Sequence, residues 1–216
     1  MKVVSVNAGL PREVEWRGKK ILTSIFKTPV QGRVRVSRLN IAGDKQSDLS
    51  VHGGADKAVY VYPAAHYAFW RAELPGMEFP WGAFGENLTV EGLANEDGVR
   101  IGDRFRAGSA EFVVTQPRMP CFKLGIRFDR PDMVKRFLHS RRTGFYLSVA
   151  REGELGAGDT FALVAEGEGG VTVADIVELY AADAANQELL RRATRLSALP
   201  ESWREYFRER LWEPDA

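Results

Sequence analysis

Residues 145–150 read FYLSVA, where Phe, Leu and Val alternate with Tyr, Ser and Ala. Successive side chains of a strand point to opposite faces, so this alternation predicts a strand with one buried face. Similar runs of strand-forming residues lie earlier, at 2–5, 32–39, 58–62, 87–90 and 111–115. Gly-Asp pairs close to these runs supply tight turns. Many short strands separated by turns predict a mainly β body that curls or closes into a barrel-like sheet.

Two helices are predicted to interrupt this β body. The first begins at Pro63, because a proline costs no hydrogen bond in the first helical turn, and it ends before Pro75. The second spans about 131–139, where apolar residues recur at helical spacing.

The last quarter of the chain has a different composition. Residues 171–216 contain no glycine, and they follow the linker-like stretch EGEGG at 166–170. Apolar residues recur in three clusters at helical spacing, which predicts three short helices. A segment this short makes a marginal core, so we expect the helices to pack on the β body. The predicted organisation is a mainly β domain at 1–165 and a three-helix appendage at 171–216.

Composition excludes several classes of function. The chain carries 30 Lys+Arg against 29 Asp+Glu, a balance that argues against a nucleic-acid binder. Residues 171–216 hold 6 Lys+Arg against 9 Asp+Glu, the wrong sign for a DNA-reading helix pair. Apolar runs such as 58–62 fall far short of the ~20 residues of a membrane span, and the N-terminus lacks a signal-peptide cleavage pattern. We therefore expect a cytoplasmic protein that binds neither nucleic acid nor membrane.

The single cysteine, Cys121, is the first candidate for chemistry. It follows a predicted strand in the stretch QPRMPCFK, and Arg118 and Lys123 lie nearby in sequence. Cations near the sulfur favour the thiolate, which is the form that attacks or binds metal. The alternative is an inert, buried cysteine, which is a common fate of free thiols. Pro117 and Pro120 stiffen the backbone just before the sulfur and favour a positioned loop.

A second candidate is the stretch HGGADK at 52–57. Two glycines after His52 let the backbone approach a ligand closely, and Lys57 could hold an anion. The alternative is a glycine turn between two strands, with His52 as a hydrogen-bonded structural histidine. A third candidate is Glu86-Asn87, which could serve polar recognition or could be an ordinary turn before a strand. The familiar nucleotide-binding signatures do not occur.

Several of these segments occur together in one order. The order is KTP at 27–29, GDKQ at 43–46, HGGADKAVY at 52–60, GENL at 85–88, IGD at 101–103 and QPRMPCFKL at 116–124. This order resembles the MOSC domain (molybdenum cofactor sulfurase C-terminal domain), in particular its bacterial YiiM-like branch. The resemblance covers about residues 1–165, and the three predicted helices resemble the small helical domain of the same branch.

The resemblance implies a barrel-like fold with a cleft for the molybdenum cofactor (molybdopterin). By the same resemblance Cys121 would ligate the metal, as a soft thiolate ligand does. Arg118, Lys123 and Lys57 would contact the anionic groups of the cofactor, and Lys27 would face the same pocket. His52 and Asn87 would contribute hydrogen bonds.

Proteins of this kind reduce N-hydroxylated compounds such as hydroxylaminopurines with electrons from a separate redox protein. The chain shows no flavin, nicotinamide or iron–sulfur signature, which agrees with a need for such a donor. The resemblance therefore predicts a molybdenum-dependent oxidoreductase. Two alternatives stay open: a sulfur carrier with a persulfide on Cys121, and a protein that binds the cofactor without turnover. The chain could act as a monomer or a homodimer.

Overall fold

The computed structural model describes residues 1–47, 53–93, 95–182 and 186–212. Within them the strands are β1 Lys2–Ala8, β2 Arg12–Trp16, β3 Lys19–Thr23, β4 Thr28–Pro29, β5 Arg33–Ser37, β6 Asn40–Ile41, β7 Val59–Pro63, β8 Leu88–Glu91, β9 Arg104–Ala107, β10 Ala110–Pro117, β11 Phe145–Arg151, β12 Gly153–Gly156 and β13 Phe161–Ala165. The helices are α1 Ala65–Glu73, α2 Phe122–Phe128, α3 Met133–Ser140, α4 Val173–Ala181, α5 Gln187–Thr194 and α6 Glu201–Arg208.

The main sheet has eight strands in the order β13-β9-β10-β11-β7-β8-β1-β4. Its pairs are antiparallel except β7 and β8, which run parallel. The sheet curls, so that the Val3 N–H donates to the Asp159 carbonyl just before β13, at 2.9 Å. A three-stranded sheet, β12-β5-β6, and the hairpin β2-β3 complete the β body. The expected mainly β, barrel-like fold with C-terminal helices is confirmed.

All six predicted strands are present, but the predicted start of the first helix is wrong. Pro63 is the last residue of β7, and α1 begins at Ala65. Pro63 lies opposite Val90 of β8, and the next N–H, that of Ala64, donates to the Val90 carbonyl at 2.8 Å. The strand pairing therefore continues past the proline, whose missing N–H is not needed there.

The three predicted C-terminal helices are present and pack on the β body, as expected. Val173, Ile176, Leu190 and Phe207 join one continuous core with strand residues such as Phe112. The N-terminus of α4 is closed by a capping box. The Thr172 side chain accepts from the Asp175 N–H, and the Asp175 side chain accepts from the Thr172 N–H. None of the described helices has the length and apolar character of a membrane span.

Candidate functional site

One pocket collects residues from distant parts of the chain. It is a cleft of about 590 Å³ that includes space open to solvent. Its described lining residues are Thr23, Ser24, Ile25, Lys27, Lys45, Gln46, Ser47, Lys57, Tyr60, Phe84, Gly85, Asn87, Arg118, Cys121, Lys123 and Tyr146. Five of them are cationic and none of these described lining residues is acidic, so the pocket suits an anion.

The structure brings six of the seven predicted site residues to this pocket. They are Lys27, Lys57, Asn87, Arg118, Cys121 and Lys123. The seventh, His52, lies outside the described residues. The pocket lining shows where these side chains lie. Their contacts with a cofactor remain predictions.

Cys121 lies in the connection between β10 and α2. Its backbone is extended, with φ −128° and ψ 171°, and its carbonyl accepts the first hydrogen bond of α2, from the Leu124 N–H at 2.9 Å. The residue is half-buried and lines the pocket. This placement differs from that of an inert core thiol, because the sulfur sits in a loop at a cationic cavity.

Arg118 is buried beside Cys121 and is only 5% exposed. Its guanidinium carbon lies 5.0 Å from the ring centre of Phe137 and 5.8 Å from that of Tyr60, which allows cation–π attraction. Burial opposes its charge, but the ionisable groups of Tyr60, Cys121 and Tyr146 outweigh burial and raise the pKa of Arg118. Its Nη1 atom is buried with no hydrogen-bond partner in the described part of the chain. The Arg118 guanidinium is therefore charged at the pocket, and its Nη1 can donate to a ligand.

Lys27 and Asn87 are joined by a buried carboxylate. Asp44 accepts from Lys27 Nζ at 2.5 Å, from Asn87 Nδ2 at 2.9 Å and from the Gly9 N–H at 2.9 Å. Burial lowers the pKa of Lys27, and Asp44 partly offsets this effect. Sequence reasoning took Asp44 for a turn residue. The available signal was its place in the Gly-Asp-x-Gln turn, which is one of the ordered motifs of the MOSC resemblance.

Two further lysines line the pocket at different depths. Lys123 is 8% exposed, and its Nζ donates to Ser47 Oγ at 3.2 Å. Lys57 is half-buried, and burial lowers its pKa from the ordinary 10.5, with Asp56 acting in the opposite direction. Lys57, like Lys27, therefore gives up its proton more readily than an exposed lysine does.

Glu86 does not contribute to the lining, contrary to the possible recognition role of Glu86-Asn87. Its carboxylate is fully buried and accepts from the Gly82 and Phe84 N–H groups at 2.9 and 3.1 Å, from Thr89 Oγ1 at 2.9 Å and from the Tyr67 hydroxyl. Burial raises its pKa despite these donors. Glu86 holds the turn that carries Gly85 and Asn87 into the pocket, so its role is to position that turn.

A curled β-sheet with a thiol in a cationic pocket and three helices on its flank defines the class of this protein. Residues 48–162 match the MOSC domain, and residues 171–212 match the YiiM-like 3-alpha helix domain. The chain belongs to the MOSC domain family, in its YiiM-like branch.

Three proteins illustrate what the chain is similar to. The Bacillus subtilis protein YflK is 44% identical over 205 residues, which span 95% of this chain and 92% of YflK. The crystal structure of YiiM from Geobacillus stearothermophilus is 36% identical, covers 98% of this chain and 99% of its own, and superposes with a TM-score of 0.82. A protein of Gibberella moniliformis named Reductase is 34% identical over 182 residues, which span 83% of this chain and 32% of the reductase.

Proposed function

We propose that this protein binds the molybdenum cofactor in the pocket and reduces N-hydroxylated compounds, such as hydroxylaminopurines, to amines. The observation that carries the proposal is that the only thiol of the chain lies in a pocket lined by five cations. A soft metal and an anionic organic ligand together suit this combination better than either alone.

The residues present fit the cofactor. Cys121 offers a soft sulfur ligand, and Arg118, Lys57 and Lys123 offer positive charge to the anionic groups. Lys27 and Asn87 are held at the wall by Asp44. The buried Nη1 of Arg118 is a donor that an acceptor on the ligand would satisfy.

The proposed reaction breaks the N–O bond of the substrate, consumes two electrons and two protons, and releases the amine and water. When bound, the cofactor supplies a metal that stores and transfers the electrons. Protons must come from the protein or from solvent. Lys57 Nζ holds a proton at the pocket with a lowered pKa, so it is our candidate for delivering one of them.

The electrons are proposed to come from a separate redox protein. The sequence shows no flavin, nicotinamide or iron–sulfur signature, so the proposed reaction needs a donor in trans. We assign the reaction to the cytoplasm, where a thiol such as that of Cys121 stays reduced.

The test compares the wild type with Cys121→Ser and Cys121→Ala after expression in a cofactor-producing host. We expect near-stoichiometric molybdenum in the wild type and none in either variant. With reduced methyl viologen as artificial donor, only the wild type should reduce 6-hydroxylaminopurine, as followed by chromatography of the amine. Circular dichroism of the three proteins should coincide.

Other outcomes would change the proposal. Full turnover by Cys121→Ser would remove the thiol from the mechanism. Absence of molybdenum, with a reducible adduct of one sulfur atom on Cys121 in the intact mass, would favour a persulfide carrier. Stoichiometric molybdenum without turnover would favour a cofactor-binding protein.

A further inference from the structure

Two of the pocket residues keep a buried polar atom without a partner. In the described part of the chain the buried side-chain N and O atoms that lack a hydrogen-bond partner are Ser24 Oγ, Arg118 Nη1, Arg127 Nε and Arg204 Nε. Ser24 and Arg118 line the pocket, whereas Arg127 and Arg204 do not belong to its lining. Buried polar atoms are satisfied in most folded proteins, so an unpartnered pair at one cavity calls for an explanation.

The segment that carries Ser24 is held in place by close packing. Ser24 directly follows β3, and the next N–H, of Ile25, donates to Thr23 Oγ1 at 3.2 Å. Across the pocket wall, a Cβ on Gly82 would lie 2.8 Å from the Lys27 carbonyl oxygen, and one on Gly85 would lie 3.0 Å from Ile25 Cγ1. The glycines let the turn approach Ile25 and Lys27 this closely, so the backbone that follows Ser24 cannot shift toward the turn without displacing it.

We infer that Ser24 is a ligand-binding residue, whose hydroxyl, like the guanidinium of Arg118, donates to an oxygen of a phosphate-bearing ligand in this pocket. The two unsatisfied groups can each donate, and the cations around them favour an acceptor that carries negative charge. The inference rests on the proposed function where the ligand is the molybdenum cofactor, which carries a phosphate. Neither composition nor spacing distinguished Ser24 from other serines of the chain.

This assignment has a consequence for the ligand-free protein. An unsatisfied buried hydroxyl costs stability, so its removal should leave the ligand-free fold as stable as before or more stable. Ser5 provides the matched contrast. It is also buried, but its hydroxyl donates to Asn7 Oδ1 at 2.8 Å and it does not line the pocket. The same Ser-to-Ala change should therefore have opposite consequences at the two positions.

The experiment uses Ser24→Ala, Arg118→Met, and the controls Ser5→Ala and Arg127→Met. Protein from a host that cannot make the cofactor is unfolded by heat with and without inorganic phosphate, and protein from a competent host is assayed for molybdenum. For Ser24→Ala we expect an unchanged or raised midpoint without phosphate, and for both Ser24→Ala and Arg118→Met an affinity for phosphate weaker by about tenfold and a lower molybdenum content. Ser5→Ala should lower the midpoint, and Arg127→Met should leave phosphate and molybdenum binding unchanged.

Each result decides the matter. If Ser24→Ala binds phosphate and molybdenum like the wild type, or lowers the midpoint as far as Ser5→Ala does, the assignment of Ser24 is wrong while the proposed function stands. If the wild type takes up no molybdenum but phosphate binding still depends on Ser24 and Arg118, the proposed function fails and the phosphate site stands. If Arg127→Met weakens phosphate binding equally, the effect is not specific to the pocket and the inference is overturned.

Discussion

At the scale of single residues, the pocket depends on a carboxylate that does not line it. Asp44 is buried and has three donors, one of which is the ammonium of Lys27. The ion pair fixes the position of the Lys27 ammonium. The hydrogen bond from Asn87 holds a second part of the pocket wall against the same carboxylate. Removal of Asp44 would leave a buried ammonium without its counter-charge.

We therefore predict that Asp44→Ala lowers the free energy of unfolding by about 3–5 kcal/mol, the range for a buried pair that loses one partner. The control is Glu13→Ala, which removes the partner of Lys20 from a pair whose side chains are 80% and 58% exposed. That change should cost less than about 1 kcal/mol. Urea unfolding measures both, and equal losses would contradict a special role of Asp44.

Lys57 gives a prediction about pH. Its pKa lies below the ordinary 10.5, because burial disfavours the charged form. The protonated form attracts an anion, so phosphate affinity is full below the lowered pKa and falls as pH rises through it. Lys57→Arg keeps its charge, so its affinity should fall less than that of the wild type below pH 10.5. The fall that remains is that of Lys27, whose pKa burial also lowers.

Phosphate affinity measured from neutral pH upward checks this difference. Lys45→Arg is the control, since Lys45 lines the same pocket with an exposed side chain. It should follow the wild-type profile. Coincident profiles of wild type and Lys57→Arg would show that Lys57 does not govern the pH dependence.

At this scale the sequence predicted the charged and thiol residues of the pocket, but it did not predict the buried polar groups that hold them or lie beside them. Cys121, Arg118 and Lys57 could be found because cations and thiols are chemically conspicuous. Asp44 and Ser24 were missed in their roles, since a buried acceptor and an unsatisfied hydroxyl become apparent only once packing has removed them from water.

At the scale of elements, the start of β11 is held by a glycine in the left-handed region. Gly144 has φ +62°, and a Cβ there would lie 2.4 Å from the Val61 carbonyl oxygen. Its own N–H donates to Glu96 at 2.6 Å, and its carbonyl accepts from the Arg118 N–H at 3.3 Å. The glycine thus connects the central strands to the backbone of a pocket residue.

We predict that Gly144→Ala lowers the free energy of unfolding by about 2–5 kcal/mol, because steric overlap adds to backbone strain. Gly158→Ala is the control: φ is +97°, and a Cβ there would meet nothing within 4 Å. Only the strain of about 1–2 kcal/mol should remain there. Urea unfolding separates the two, and a smaller loss at Gly144 would show that the strands adjust around the new methyl group.

The elements that the sequence predicted are those with a strong periodic pattern. The strands β1, β7, β10 and β11 bury apolar faces and were found. The hairpin β2-β3 was missed because charged residues dominate its exposed strands, and α2 was missed because Pro120 and Gly125 made its seven residues look like a loop. Two-residue strands such as β4 leave no pattern at all.

At the scale of the whole molecule, the three C-terminal helices support the strand that leads to the pocket. Trp203 of α6 donates from Nε1 to Gln116 Oε1 at 2.8 Å, two residues before Arg118. The helices and the sheet also share one apolar core. The sequence predicted that the helices dock on the sheet, because so short a segment cannot bury enough surface alone. The sequence did not predict the position of Trp203, because its hydrogen-bond partner Gln116 lies 87 residues earlier in the chain.

We predict that Trp203→Phe lowers the free energy of unfolding by about 1–3 kcal/mol, because the side-chain oxygen Oε1 of the buried Gln116 loses its hydrogen-bond donor. Trp212→Phe is the control, since Trp212 is 80% exposed, and it should change stability by less than about 0.5 kcal/mol. Chemical unfolding followed by circular dichroism avoids the altered fluorescence. Equal effects would mean that the hydrogen bond to Gln116 contributes nothing.

The order of the pocket residues along the chain has a consequence for biosynthesis. The lining runs from Thr23 to Tyr146, and Tyr146 lies on β11, between β7 and β10 in the sheet. A nascent chain still short of β11 has no complete pocket, so under the proposed function the cofactor would enter only after β11 has been synthesised. Under the proposed function, a cell starved of cofactor would accumulate folded, unloaded protein that can be activated later without new translation.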